Sequence, residues 1–190
     1  MNNEINSLED IKAIRKIMEE STRFLSLSGL SGVLAGVTAL AGALIAWLFI
    51  DDAWSLMAVA AAVLVVSLSF AFWLSVKKAK REGKHFWTPV SRKMLVHLFI
   101  PLVTGGILAL VFLCQGNIQL IVPVFLIFYG LALVNAAKYT LGEIFYLGIL
   151  EIITGLVLTI FPGWWLIGWL FGFGILHMVY GLVMYGKYGR

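Results

Sequence analysis

Long apolar runs alternate with short polar blocks along the chain. The runs cover about 24–50, 53–76, 95–115, 118–137, 144–161 and 164–185. Each is near or above the roughly 18 to 20 residues that a helix needs to cross hydrocarbon. The first is long enough to tilt or to project beyond the bilayer. The turns "DDAW", "QGN" and "FPGWW" are too short to hold further elements, so consecutive runs pair into three helical hairpins. The pattern predicts an all-α integral membrane protein. It comprises a polar segment 1–22, a six-helix transmembrane domain 23–190 and a basic loop 77–94.

Within the polar segment, "SLEDIKAIRKIMEES" predicts an amphipathic helix. Ser7 can cap it, with Asp10 reaching back. Leu8, Ile11, Ile14 and Met18 recur at helical spacing against a face of Lys12, Lys16, Glu19 and Glu20. The expected position is flat on the cytoplasmic membrane surface. Docking on a cytoplasmic protein or on a second copy of the chain is the alternative use of such a face.

Charge then orients the bundle. Of 190 residues, 61% are hydrophobic and 13% charged, with a mean hydropathy of +0.97, far from the roughly 25% charged residues of soluble domains. Lys12, Arg15, Lys16 and Arg23 precede the first run, and seven further basic residues lie in 77–94. Lys138 separates runs four and five, and Lys187 and Arg190 follow the sixth. All 14 Lys and Arg residues therefore fall on one side, which places both termini in the cytoplasm. Asp51 and Asp52 are the only charges expected outside. The net charge of +4 thus reflects topology, and a nucleic-acid partner is not implied. In the basic loop, Lys77, Lys78, Lys80, Arg81 and Lys84 suit anionic lipid headgroups, each contributing about 1 kcal/mol near a charged surface. Thr88 and Pro89 have the form of a helix cap and first-turn proline, so the third helix is expected to begin below the membrane.

Two hairpins resemble each other in sequence. "VTGGILAL" (103–110) aligns with "ITGLVLTI" (153–160), and "YGLALVNAAKY" (129–139) with "YGLVMYGKY" (180–188) when two residues are dropped. "LSGVLAG" (30–36) is a fainter third copy. Each copy starts on the same side, so these are parallel repeats, expected around an axis along the membrane normal. Small residues let such helices approach closely. Gly148, Gly155 and Pro162 fall at seven-residue intervals before a turn, and Gly181 sits on the returning helix. In these residues the chain resembles the HdeD-like family of small six-span bacterial membrane proteins, clearest over 144–185. The resemblance implies an inner-membrane protein linked to acid or stress resistance, without a known chemistry. The long basic loop and the N-terminal helix depart from the compact family pattern.

One stretch breaks the apolar pattern: "GILEIITG" puts Glu151 inside the fifth run. Gly148, Glu151, Gly155, Leu158 and Pro162 share a stripe of that helix. Ile167, Leu170, Gly174, His177 and Gly181 repeat the intervals in the sixth. Folding the hairpin about its turn pairs Gly148 with Gly181, Gly155 with Gly174, and Glu151 with His177. Both ionisable residues then lie about 12 Å deep, at 1.5 Å per residue. At that depth they should face the bundle interior and meet a partner. Tyr129, Thr154 and Tyr180 are placed to add hydrogen bonds. Desolvation opposes charge on the pair and mutual attraction favours it, so it can be neutral and hydrogen-bonded, or ionised. Two roles fit: a structural tie, or a site that binds or relays a proton.

No enzyme is expected. His85, His97 and His177 are scattered, and no HExxH, CxxC, phosphate loop or nucleophile elbow occurs. Catalytic residues, cofactors and metals are therefore not assigned, and the single Cys114 forms no internal disulfide. The reading is a non-enzymatic membrane component of a stress response; the alternative is a small proton-linked transporter or channel.

Overall fold

A computed structural model describes Phe24 and residues 27–188. The helix expected over Ser7–Ser21 lies outside the described residues. Six helices are long and apolar enough to span a membrane: α1 Gly29–Phe49, α2 Ala53–Arg81, α3 Pro89–Cys114, α4 Ile118–Tyr139, α5 Glu143–Ile160 and α6 Pro162–Tyr188. All regular structure among the described residues is helical. In a lipid setting this is expected, because a helix satisfies its backbone donors and acceptors within one segment.

The boundaries shift at the basic end. α2 continues to Arg81 and α3 begins at Pro89, so 77–94 is mostly helix and only 82–88 connects. At the other junctions the turns fall where the sequence puts them. The cap of α3 is as the sequence predicts. Thr88 accepts from the Ser91 amide at 3.1 Å, the Ser91 hydroxyl accepts from the Thr88 amide at 2.8 Å, and Pro89 takes the first turn. α1 is shorter than its apolar run and begins only at Gly29. Ahead of it, Phe24 donates its amide to the Tyr139 carbonyl at 2.7 Å and accepts from the Thr140 hydroxyl, which ties the chain entering α1 to the α4–α5 connection.

Two glycine seams hold the bundle together. In the first, α4 lies on α5: a Cβ added to Gly148 would stand 2.7 Å from the Gly130 carbonyl, and one on Gly155 would stand 2.9 Å from that of Pro123. In the second, α1 lies on α6, with Gly29, Gly32 and Gly36 meeting Gly174, Met178, Gly181 and Met184. Such distances leave room only for hydrogen, so backbone meets backbone.

The expected α5–α6 seam is therefore corrected. Gly148 and Gly155 face α4, whereas Gly174 and Gly181 face α1. Over the basic half, large side chains fill the space between α5 and α6: Leu147, Tyr180 and Met184 share one apolar cluster. The two helices come closest near their turn, where Leu158 packs over Gly168. At the basic mouth, Lys187 pairs with Glu143, which also accepts from the Tyr188 hydroxyl at 3.0 Å.

The local geometry of α6 gives one reason. Leu170–Leu176 winds as a π-helix, with wider turns than an α-helix. One extra residue rotates the downstream face by about 100°, so a strict seven-residue repeat does not run through it.

α2 is the outlying helix. None of its membrane-spanning window is buried, and it packs extensively on α1 alone. Its ends are fixed all the same. Ala53 and Met57 join the cluster around Ala109, Leu113 and Ile121. At the basic end, the Lys78 ammonium donates to the carbonyls of Leu27 at 3.1 Å and Tyr188 at 3.2 Å.

Candidate functional site: a buried carboxyl, imidazole and phenol

Three helices bring one polar group each to a single point. Glu151 comes from α5, His177 from α6 and Tyr129 from α4. Glu151 is fully buried and His177 is 5% exposed. The carboxyl oxygen Oε1 lies 3.2 Å from His177 Nδ1. The contact expected between helices five and six is present, although the glycine contacts around it are not.

Hydrogen bonds fix the imidazole. Nδ1 lies 3.1 Å from the Gly172 carbonyl, five residues back, a reach suited to the π turn. A carbonyl can only accept, so Nδ1 carries a hydrogen. Nε2 lies 2.7 Å from the Tyr129 hydroxyl. In the neutral ring Nε2 accepts, and Tyr129 is the donor; the tautomer follows from this network. The hydrogen on Nδ1 is directed at Gly172, which explains why neither Glu151 oxygen has an in-line hydrogen-bond partner despite the close approach. The second oxygen rests against Gly172, where an added Cβ would be 2.7 Å away, and Leu126, itself fully buried, shares that wall.

The proton balance is simple. A neutral acid beside a neutral imidazole, and a carboxylate beside an imidazolium, hold the same number of protons and no net charge. Passing from one to the other needs a proton on Nε2, the nitrogen bonded to Tyr129, because Nδ1 already carries its hydrogen.

The remaining polar candidates lie elsewhere. The Thr154 hydroxyl bonds back to the Leu150 carbonyl of its own helix at 2.8 Å. Tyr180 packs with Leu133 and Met184 and close to Gly32. Tyr129 alone of the three joins the pair.

The basic residues also divide. Lys78 is engaged with the backbone carbonyls of Leu27 and Tyr188. Lys77 sits over the Trp73 ring at 5.2 Å, and Arg92 over Trp87 at 5.6 Å. Lys84 lies 3.5 Å from Glu82. Lys80 and Arg81 are exposed.

A role for the Gly172 carbonyl was not read from the sequence; the only local signal is the glycine-rich "LFGFGIL". A second histidine–tyrosine pair was also missed: His97 Nε2 lies 2.9 Å from the Tyr139 hydroxyl, with the rings stacked. Among the described residues, no three His, Cys, Asp or Glu side chains gather as metal ligands. No family model, curated protein or solved structure matches the chain.

Proposed function

We propose that the protein is a non-enzymatic membrane component of an acid or stress response, in which His177 ties α6 to Tyr129 of α4 and Glu151 is sealed against that pair. The observation that carries this reading is the complete burial of Glu151 amid Leu126, Gly172 and its helix neighbours. A proton relay needs polar groups or water in succession. Thr38 bonds to Ser67 and to its own helix, and Thr154 to the Leu150 carbonyl, so neither extends the site. The HdeD-like resemblance points to the physiological setting. The segregation of Lys and Arg supports cytoplasmic termini in the inner membrane.

The proposed repeat has local support. Thr104 and Thr154, equivalent in the aligned copies, make the same bond to the carbonyl four residues back. Gly130 meets the next hairpin at Gly148, and the equivalent Gly181 meets α1 at Gly32.

Proton-linked transport is the second reading, favoured by the two Glu151 oxygens without in-line partners. Acid survival separates the two. A strain lacking the chain should survive acid challenge poorly, and wild-type and Glu151→Leu copies should restore survival equally. Rescue by wild type alone, with the variant folded and in the membrane, would favour transport. Unimpaired survival without the chain would remove the stress role.

A further inference from the structure

α2 and α3 do not close on each other. α2 is pinned at its two ends, and between them stands a cavity of about 390 Å³. Its α2 wall carries Ala60, Ala61 and Ser67, and its α3 wall Gly105 and Gly106. A Cβ added to Gly106 would meet nothing within 4 Å. Small residues that elsewhere in this bundle bring helices together here leave space. The floor is aromatic, formed by Phe125, Phe128, Tyr129, Trp169 and Phe173. At the rim stand Leu64, Val103, Ile107 and Leu110, all exposed on the face that lipid covers. A second cavity of about 190 Å³ shares Met57, Ala60, Phe125 and Trp169 with the first and extends to Ala53 and Gln119, at the end of the bundle away from the basic loop.

The polar groups on the wall determine what can enter. The Ser67 hydroxyl is 2.7 Å from that of Thr38. Trp169 Nε1 donates to the Ala39 carbonyl at 3.0 Å. Tyr129 and His177 are bonded to each other, and the other His177 nitrogen to Gly172. Water needs two to four polar partners to settle in a cavity, and these are already engaged. The volume lies within the roughly 300 to 1,000 Å³ of small-molecule sites. The mouth opens sideways, onto hydrocarbon.

We propose that this cavity is a lateral binding site for one hydrocarbon chain of a bilayer phospholipid, entering between α2 and α3 from the leaflet opposite the basic loop. The chain would lie on the aromatic floor and end beside Tyr129 and His177. It would complete the packing that α2 lacks.

The test uses the full-length protein in vesicles of phosphatidylcholine carrying a photoreactive diazirine in the acyl chain, with adducts mapped by mass spectrometry. Adducts are expected on Phe173 and Tyr129 as well as on the outward-facing Phe72 and Val111. Gly106→Phe, which fills the cavity from α3, should cut the Phe173 and Tyr129 adducts several-fold and leave those on Phe72 and Val111 unchanged. Ala61→Phe, from the opposite wall, gives the same reading should the first variant fail to fold. Wild-type adducts confined to outward-facing residues would overturn the proposal. So would adducts on Phe173 that persist undiminished in a folded cavity-filling variant.

Discussion

Replacing each member of the buried pair should have unequal effects. Two partners of comparable importance would lose similar stability when either is removed. The geometry predicts otherwise. His177 bonds to Tyr129 and to the Gly172 carbonyl, whereas Glu151 makes only the 3.2 Å approach to Nδ1. Glu151→Leu removes two buried oxygens that have no in-line donor and supplies a side chain of similar size beside Leu126. Exchanging a buried polar group for an apolar one of similar shape is near neutral or stabilising. His177→Leu instead strands the Tyr129 hydroxyl and the Gly172 carbonyl. One such stranded group costs about 1 to 3 kcal/mol. For a chain of this size each kcal/mol moves the melting temperature by about 2 to 4 °C. Thermal unfolding in a mild detergent should thus show Glu151→Leu at or above wild type, and His177→Leu lower by roughly 2 to 12 °C for each group it strands. The double variant should match His177→Leu. A loss in Glu151→Leu as large as that in His177→Leu would instead make the carboxyl, not the Gly172 carbonyl, the principal partner of Nδ1.

Three other outcomes follow from the packing. Gly148→Leu and Gly155→Leu should disrupt α4 on α5, and Gly181→Leu should disrupt α1 on α6, each abolishing a monodisperse folded species on size-exclusion chromatography; Gly106→Leu and Ile153→Leu, with open or lipid-facing surroundings, should remain monodisperse. Lys78→Met should lower stability by about 1 to 3 kcal/mol through loss of charged hydrogen bonds to two carbonyls, with Lys80→Met unchanged in the same melting assay. Single cysteines replacing Asp52 and Lys80 in a Cys114→Ser background should show the Asp52 site labelled by an impermeant thiol reagent on intact cells and the Lys80 site silent; the opposite pattern would reverse the proposed orientation.

The extent to which the fold was legible depended on the kind of signal. The six spans follow from run length and hydropathy, which act on each helix alone. The Thr88–Ser91 cap is likewise local. The contact of Glu151 with His177 was legible because two ionisable groups at equal depth have few alternative partners in hydrocarbon. Glycine spacing is a different kind of signal: it marks a face that some backbone approaches, but not which one. Gly148 and Gly181 both have such a neighbour, on α4 and α1 respectively, rather than each other. The π turn at Leu170–Leu176 altered the register of α6 and brought the Gly172 carbonyl within reach of His177. The bonds of Lys78 were not legible for a similar reason. Its acceptors are the carbonyls of Leu27 and Tyr188, and backbone acceptors brought together by the fold leave no trace in side-chain pattern.

A sealed site at Glu151, His177 and Tyr129, as proposed, carries no proton across the membrane. Proton flux into vesicles containing the purified protein, driven by an imposed pH gradient with a potassium ionophore to clamp the potential, tests it directly. The rate should equal that of protein-free vesicles, for wild type and Glu151→Gln alike. A wild-type flux above that background, abolished in a folded Glu151→Gln variant, would contradict it.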